Sequence, residues 1–409
     1  MKRKYFYVIL ISSFLYVSCF FHSNKTEEGK GHGTFVFNIE KAQKYPDETF
    51  VYSSLYKRVS VLLLETKEDC LIGRISKIQV FDSYIIVLDS RSAKGLFVFD
   101  KEGFFIRKIG NTGSGPGEYL IPKDFTIDKE NKIIYVLDNY SQRINKYEFT
   151  SGNYIHSINL EKEVRSYNIE FNAGKLYADA FFQNHTDDNY LLRIIDESSG
   201  KDEGHHLNVT EYNQGISNVS IELQRKFFYT RENGNTVFVQ TFMNQIIEIN
   251  RDSILSLVEL NGRDFLLTSD ETKKIKETNG NLYSLEVSQL NKYHSIHSFV
   301  EKGDSIFVDI KKDRFLYKFL MNKKTNEVYV LEKIWDDMLY SVKDFGPVPT
   351  FGCYDAGGVY YYADDSHLTS RYQALANAGS LSPDIGRLDD LKNLEEDANP
   401  ILFYYEFED

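Results

Sequence analysis

The sequence predicts an all-β fold, a six-bladed β-propeller of four-stranded antiparallel blades with short helical insertions. Three observations lead there. Aromatic and β-branched residues recur in short runs divided by turn signals, while long helical periodicities are nearly absent. Two stretches, 84–110 and 132–160, share one plan: a strand ending in Val-Leu-Asp, a polar loop, a second strand, a Gly-containing hairpin and a third strand. The landmark aspartates of these stretches, Asp89 and Asp138, are 49 residues apart, the period of one propeller blade.

The landmark can be followed through the chain. Asp179, Gln240, Asp309 and Asp364 continue the series at spacings of 41, 61, 69 and 55 residues. Six landmarks imply six blades, with insertions explaining the drift. One blade cannot cover both of its faces alone, and a ring of blades covers them all. A residue that repeats blade after blade is structural, so each aspartate is expected to accept backbone N–H groups of the following turn.

The N-terminus reads as a processing signal. "MKRK" is basic, and "YFYVILISSFLYV" is an apolar run of 13 residues, too short to span a bilayer. Residues 1–18 are therefore expected to be a signal peptide. Ser18 before Cys19 resembles the lipobox of bacterial lipoproteins, which makes Cys19 the expected lipidation site and 19–45 a lipidated tether. The expected location is the cell envelope, anchored to the outer membrane on its periplasmic or surface-exposed side. The propeller is expected over 46–409, its ring closed where strand-like 50–67 meets 399–407. A disulfide between Cys70 and Cys353 is open to an envelope protein, but two buried free thiols are the reading preferred, because spacing alone cannot establish a bridge.

Two insertions carry helix signals. Thr268 and Glu271 form a capping-box pattern that opens 268–280. Ile385, Leu388, Leu391 and Leu394 sit three apart within 382–397, as on one helix face. Both are expected to pack along a blade edge.

The stretch "GNTGSGPGEY" resembles a phosphate loop only in its glycines. No Lys-Ser or Lys-Thr follows Gly117; Glu118 does, and a β-rich segment takes the place of the helix that a dinucleotide fold needs. Nucleotide binding is excluded. The run Gly113, Gly115, Pro116, Gly117, Glu118, Tyr119 resembles the G-x-G-P-G-E-Y/F motif of the six-bladed β-propeller lipoproteins of Bacteroidota, related to NHL-repeat propellers. The ending "LEEDANPILFYYEF" resembles that family's closing strand. The resemblance spans Cys19 to Asp409 and implies architecture more than activity.

Chemistry is harder to place. The net charge of −12 gives no bulk attraction for nucleic acid, and none is expected as a partner. No HExxH, GxSxG or Asp-box series is present, and no residue is nominated as catalytic or metal-binding. No cofactor is expected, although propeller channels or loops can hold Ca2+. The loops after the landmark strands should share one rim. Arg91, Gln142, Arg143, Gln183, His185, Arg314, His367 and Arg371 are its candidate ligand-binding residues. The function expected is a non-enzymatic binding or interaction module for a glycan, peptide or envelope protein partner. The alternative is a metal-assisted lyase or lactonase-like hydrolase using channel carboxylates and His.

Overall fold

A computed structural model describes residues 34–408, apart from 162, 183, 218–225, 252, 278–288, 344–345, 356 and 396. It has six four-stranded antiparallel blades. Blade 1 holds Lys77–Phe81, Tyr84–Asp89, Gly95–Asp100 and Phe105–Ile109, from the channel outward. Blade 2 begins at Pro122–Asp128, blade 3 at Ile169–Asn172, blade 4 at Phe228–Thr230 and blade 5 at Tyr293–Lys302. Blade 6 takes Thr350–Tyr354, Gly358–Tyr362 and Leu402–Phe407 from the C-terminal part, and its outer strand, Tyr56–Leu62, from the N-terminal part. Leu402 pairs with Leu62 and Tyr405 with Val59, so the expected ring closure is present.

Burial explains why the second strands of blades 1 and 2 are apolar almost throughout. Strand side chains alternate between faces, and here both faces meet another blade. In "YIIVL", Ile85 and Val87 join the core shared with blade 6, while Ile86 and Leu88 join the core shared with blade 2. In the next blade, Ile134 and Val136 face back to blade 1, and Tyr135 and Leu137 face blade 3. The hydrophobic core is thus a set of wedges between blades.

The landmark lies in, or within two residues of, the second strand of each blade. In blade 4 it is Gln240, whose amide donates to the Leu191 carbonyl at 3.1 Å, while the carboxylates of Asp89 and Asp138 do more than hold a turn. Asp89 Oδ1 accepts the N–H groups of Arg91 and Ser92 at 3.0 and 2.8 Å, in the following turn. Its Oδ2 accepts that of Ala93 and also those of Gly73 and Arg74, just before the inner strand. Asp138 likewise clips Leu120 and Ile121 to Tyr140 and Ser141. Asp179 accepts only from the segment leading to its inner strand, at Tyr167 and Asn168. Asp309 departs from the pattern: it lies inside Ser305–Lys312 and pairs with Lys318 at 2.6 Å.

The glycine-rich loop is folded around Glu118. Its Oε2 accepts the Gly115 N–H at 2.8 Å, and a Cβ on Gly113 would lie 2.0 Å from that oxygen. Gly117 adopts φ +72°, which favours glycine. The Tyr119 hydroxyl donates to the Ile109 carbonyl, tying the loop to the last strand of blade 1.

Three features differ from expectation. The tether expected over 19–45 ends earlier, because Phe35–Asn38 pairs in parallel with the outer strand of blade 4 and Gln43–Lys44 with that of blade 5. This belt covers sheet edges that would otherwise expose unpaired backbone. The helix expected over 382–397 is only Leu388–Lys392. Gly386 is drawn into backbone bonds with Val59 and Val61, and Arg387 turns left-handed at φ +63°. A third helix, Ser366–Asn377, occupies a stretch expected to be loop, capped by the Asp365 side chain on the Leu368 N–H. Of the expected helix over 268–280, Ser269–Glu277 is helical with its capping box formed, and 278–280 lie outside the described residues. Cys70 and Cys353 are free and buried in the wedge between blades 6 and 1.

Candidate functional site

In an up-and-down blade, the turn after the second strand and the start of the inner strand lie at the same end. A cavity of about 730 Å³ opens at that end of the channel and runs into the cleft between blades 5 and 6. Some of its polar groups come from the inner strands of three blades: Lys77 from blade 1, Lys123 and Asp124 from blade 2, and His297 from blade 5. Lys226 lies just before the inner strand of blade 4. Asp309, Lys311 and Lys318 come from the middle strands of blade 5. Asp336, Trp335 and Tyr340 come from the segment joining blades 5 and 6.

Electrostatically the lining is cationic, with five lysines against three aspartates in a protein of net charge −12. Lys77 Nζ donates to Asp124 Oδ1 at 2.7 Å and to the Phe125 carbonyl at 2.7 Å. Lys318 pairs with Asp309. Asp336 accepts from the Tyr405 hydroxyl and the Leu339 N–H, and burial pushes its carboxyl up to about 6. Burial also pushes the Lys226 amine down to about 8, with Lys77 adding repulsion.

Aromatic groups form the remaining walls. Tyr52, Tyr361 and Tyr405 line the cleft, and burial raises all three hydroxyls well above the usual tyrosine range. Phe351 and Tyr229 sit beneath Lys226, whose Nζ is 5.3 and 5.1 Å from their ring centres. At the lip, Leu316 and Val348 are exposed. The helix Ser366–Asn377 supports this lip: the Tyr372 hydroxyl donates to the Pro347 carbonyl at 2.9 Å, and Tyr340 donates to the same atom.

None of the described rim candidates lines this cavity. Gln142 is buried and exchanges hydrogen bonds with Ser166, which joins blades 2 and 3. Arg143 donates to the Glu118 carbonyl and holds the glycine-rich loop. His185 Nδ1 meets Ser217 at 3.1 Å, beside a separate hollow at the helix Ser269–Glu277. Arg91, Arg314, His367 and Arg371 are exposed, the last two on the helix Ser366–Asn377. Gln183 and Cys19 lie outside the described residues. The rim loops and the cavity share one end of the ring, but the cavity groups sit on inner strands, on the middle strands of blade 5 and on the segment joining blades 5 and 6. A lysine at the start of an inner strand, as in "SKIQV" and "PKDFTID", was the available signal.

Among the described residues, no group of three or more His, Cys, Asp or Glu is placed to hold a metal ion. No helix there is long and apolar enough to cross a membrane.

Residues 34–406 match a family described as a domain of unknown function, DUF4934. The chain belongs to the DUF4934 family. The fold of this DUF4934 protein is similar to that of a candidate exported protein from Bacteroides fragilis NCTC 9343, with 20% identity and a TM-score of 0.71, covering 90% of this chain and 99% of that one. A member of the DUF4221 family from Bacteroides vulgatus is 10% identical at a TM-score of 0.48, covering 87% of this chain and 97% of that one. Among curated proteins, none matches the sequence.

Proposed function

We propose that this DUF4934 protein is an exported, envelope-anchored binding module that takes an acidic sugar or short acidic glycan into its channel-mouth cavity. The observation that carries the reading is the lining itself: an excess of lysine over aspartate, set among aromatic walls, in a chain whose overall charge is negative. Ammonium groups attract a carboxylate, and tyrosine faces and hydroxyls suit the apolar and polar faces of a sugar ring. An enclosed cavity lowers the local dielectric and strengthens that attraction.

Export and anchoring rest on the signal-like residues 1–18 and the lipobox-like Ser18-Cys19, and the candidate exported protein of similar fold supports export. Lipidation at Cys19 and kinship with the NHL-like propeller lipoproteins belong to the same proposal. Isothermal titration with galacturonate and galactose oligosaccharides of equal length tests the cavity. The acidic series binds, its affinity falls with added salt, and Lys311→Met weakens it several-fold. Equal affinity for the neutral series, or no affinity for either, refutes the reading.

A further inference from the structure

The middle strands of blade 5 turn one face into the cavity, and that face carries two successive cross-strand pairs. Asp309 stands opposite Lys318, and Lys311 stands opposite Leu316. All four residues line the cavity. In the first pair the lysine is compensated, its Nζ 2.6 Å from the carboxylate. In the second, the residue across the ladder from the lysine is aliphatic. Directly opposed side chains sit about 5 Å apart at Cβ, so one short span of wall offers a cation and an apolar surface side by side. The apolar part continues along the lip. Leu316 is 46% exposed, and Val348, which lines the same cavity, is 71% exposed. The loop of Val348 is held in place. Gly346 takes φ +112° against the Tyr340 ring, where a Cβ would come within 2.3 Å, and the Pro347 carbonyl accepts the Tyr340 and Tyr372 hydroxyls.

We propose that the ligand of this cavity is a uronide with an apolar aglycone, its carboxylate at Lys311 and its alkyl or aryl group over Leu316 and Val348. A further sugar ring over this lip would lose water from its hydroxyls against aliphatic side chains and gain no hydrogen bond in return. An alkyl or aryl group has no such loss, and covering the lip removes apolar area from water. In a uronide, the carboxylate and the aglycone are borne by the two carbons that flank the ring oxygen. They therefore project from neighbouring positions, as Lys311 and Leu316 do from the wall. The inference rests on the acidic-sugar reading of the cavity and adds the second half of the ligand.

The test is isothermal titration of the full-length protein with methylumbelliferyl glucuronide, methyl glucuronide and methylumbelliferyl glucoside. The aryl glucuronide is expected to bind about ten times tighter than methyl glucuronide, or more. It also binds several-fold tighter than the aryl glucoside. Added salt weakens both glucuronides and leaves the glucoside unchanged. Leu316→Ser lowers the affinity for the aryl glucuronide several-fold and leaves methyl glucuronide unchanged. Lys311→Met weakens both glucuronides and not the glucoside. Equal affinity for the aryl and methyl glucuronides overturns the inference and leaves the acidic-sugar reading standing. Galacturonate oligosaccharide binding with no binding of the aryl glucuronide does the same. Equal affinity for the aryl glucuronide and the aryl glucoside, or no affinity for any acidic sugar, overturns both. The wild-type series decides these outcomes even where a variant fails to fold.

Discussion

Removing residues 400–409 takes out the third strand of blade 6 and strips the N-terminal strand Tyr56–Leu62 of its ladder partner, leaving it the backbone bonds of Val59 and Val61 to Gly386. The magnitude follows from burial. Ile401, Leu402, Phe403, Tyr405 and Phe407 are each no more than 4% exposed. At roughly 1.5–3 kcal/mol per fully buried large apolar side chain, their loss amounts to roughly 10 kcal/mol of gross stabilisation. Net stabilities of folded proteins are about 5–15 kcal/mol, so the truncated chain is expected to lose its cooperative melt altogether. A smaller step calibrates the argument. Phe403, fully buried with its ring centre 4.8 Å from that of Tyr372, costs about 3–5 kcal/mol as Phe403→Ala. For a chain of this size that shifts the midpoint down by about 5 °C. Circular dichroism and differential scanning fluorimetry at neutral pH read both. A truncated protein that melts with the wild-type midpoint refutes the closure argument.

Asp89→Ala leaves five backbone N–H groups without their carboxylate, and a cost of about 3 kcal/mol or more is expected in denaturant midpoints, with Asp89→Asn intermediate. Asp179 is fully buried and desolvation pushes its carboxyl up to about 7. The native state then holds a proton that the unfolded chain releases near pH 4, so this group's contribution is complete below about pH 4 and is lost as pH rises to about 7. In Asp179→Asn, that part of the stability–pH curve flattens.

The landmark aspartates and the capping box were legible because each is local or repeats, and the closing strands because each is a strand-like run in its own right. Asp138 sits at a fixed distance from its own turn, and Thr268 from Glu271, so spacing alone exposes them. The cavity was not legible in that way. Lys77, Asp124, Lys226 and Asp336 are far apart in sequence and meet only when the ring forms. Rim loops drew the candidate residues because loops on rigid scaffolds carry function, yet Gln142 and Arg143 turned inward to serve blade joints. The helix Ser366–Asn377 was missed although Leu368, Tyr372, Leu375 and Ala376 follow helical spacing, because its polar first turn resembles the neighbouring loops.

The N-terminal belt sets a schedule for folding. The Thr34 hydroxyl bonds the Ser256 carbonyl, 222 residues away, and Gln43 waits for Tyr329. Tyr56–Leu62 has no ladder partner until Leu402–Phe407 has been made. These segments, synthesised before the blades they latch, are therefore among the last to be satisfied. Loop-closure entropy must be paid in full before these contacts reward it, which makes the final latching step slow. The same latch works in reverse, since no blade at the seam can leave the ring without first releasing a segment from the opposite part of the chain.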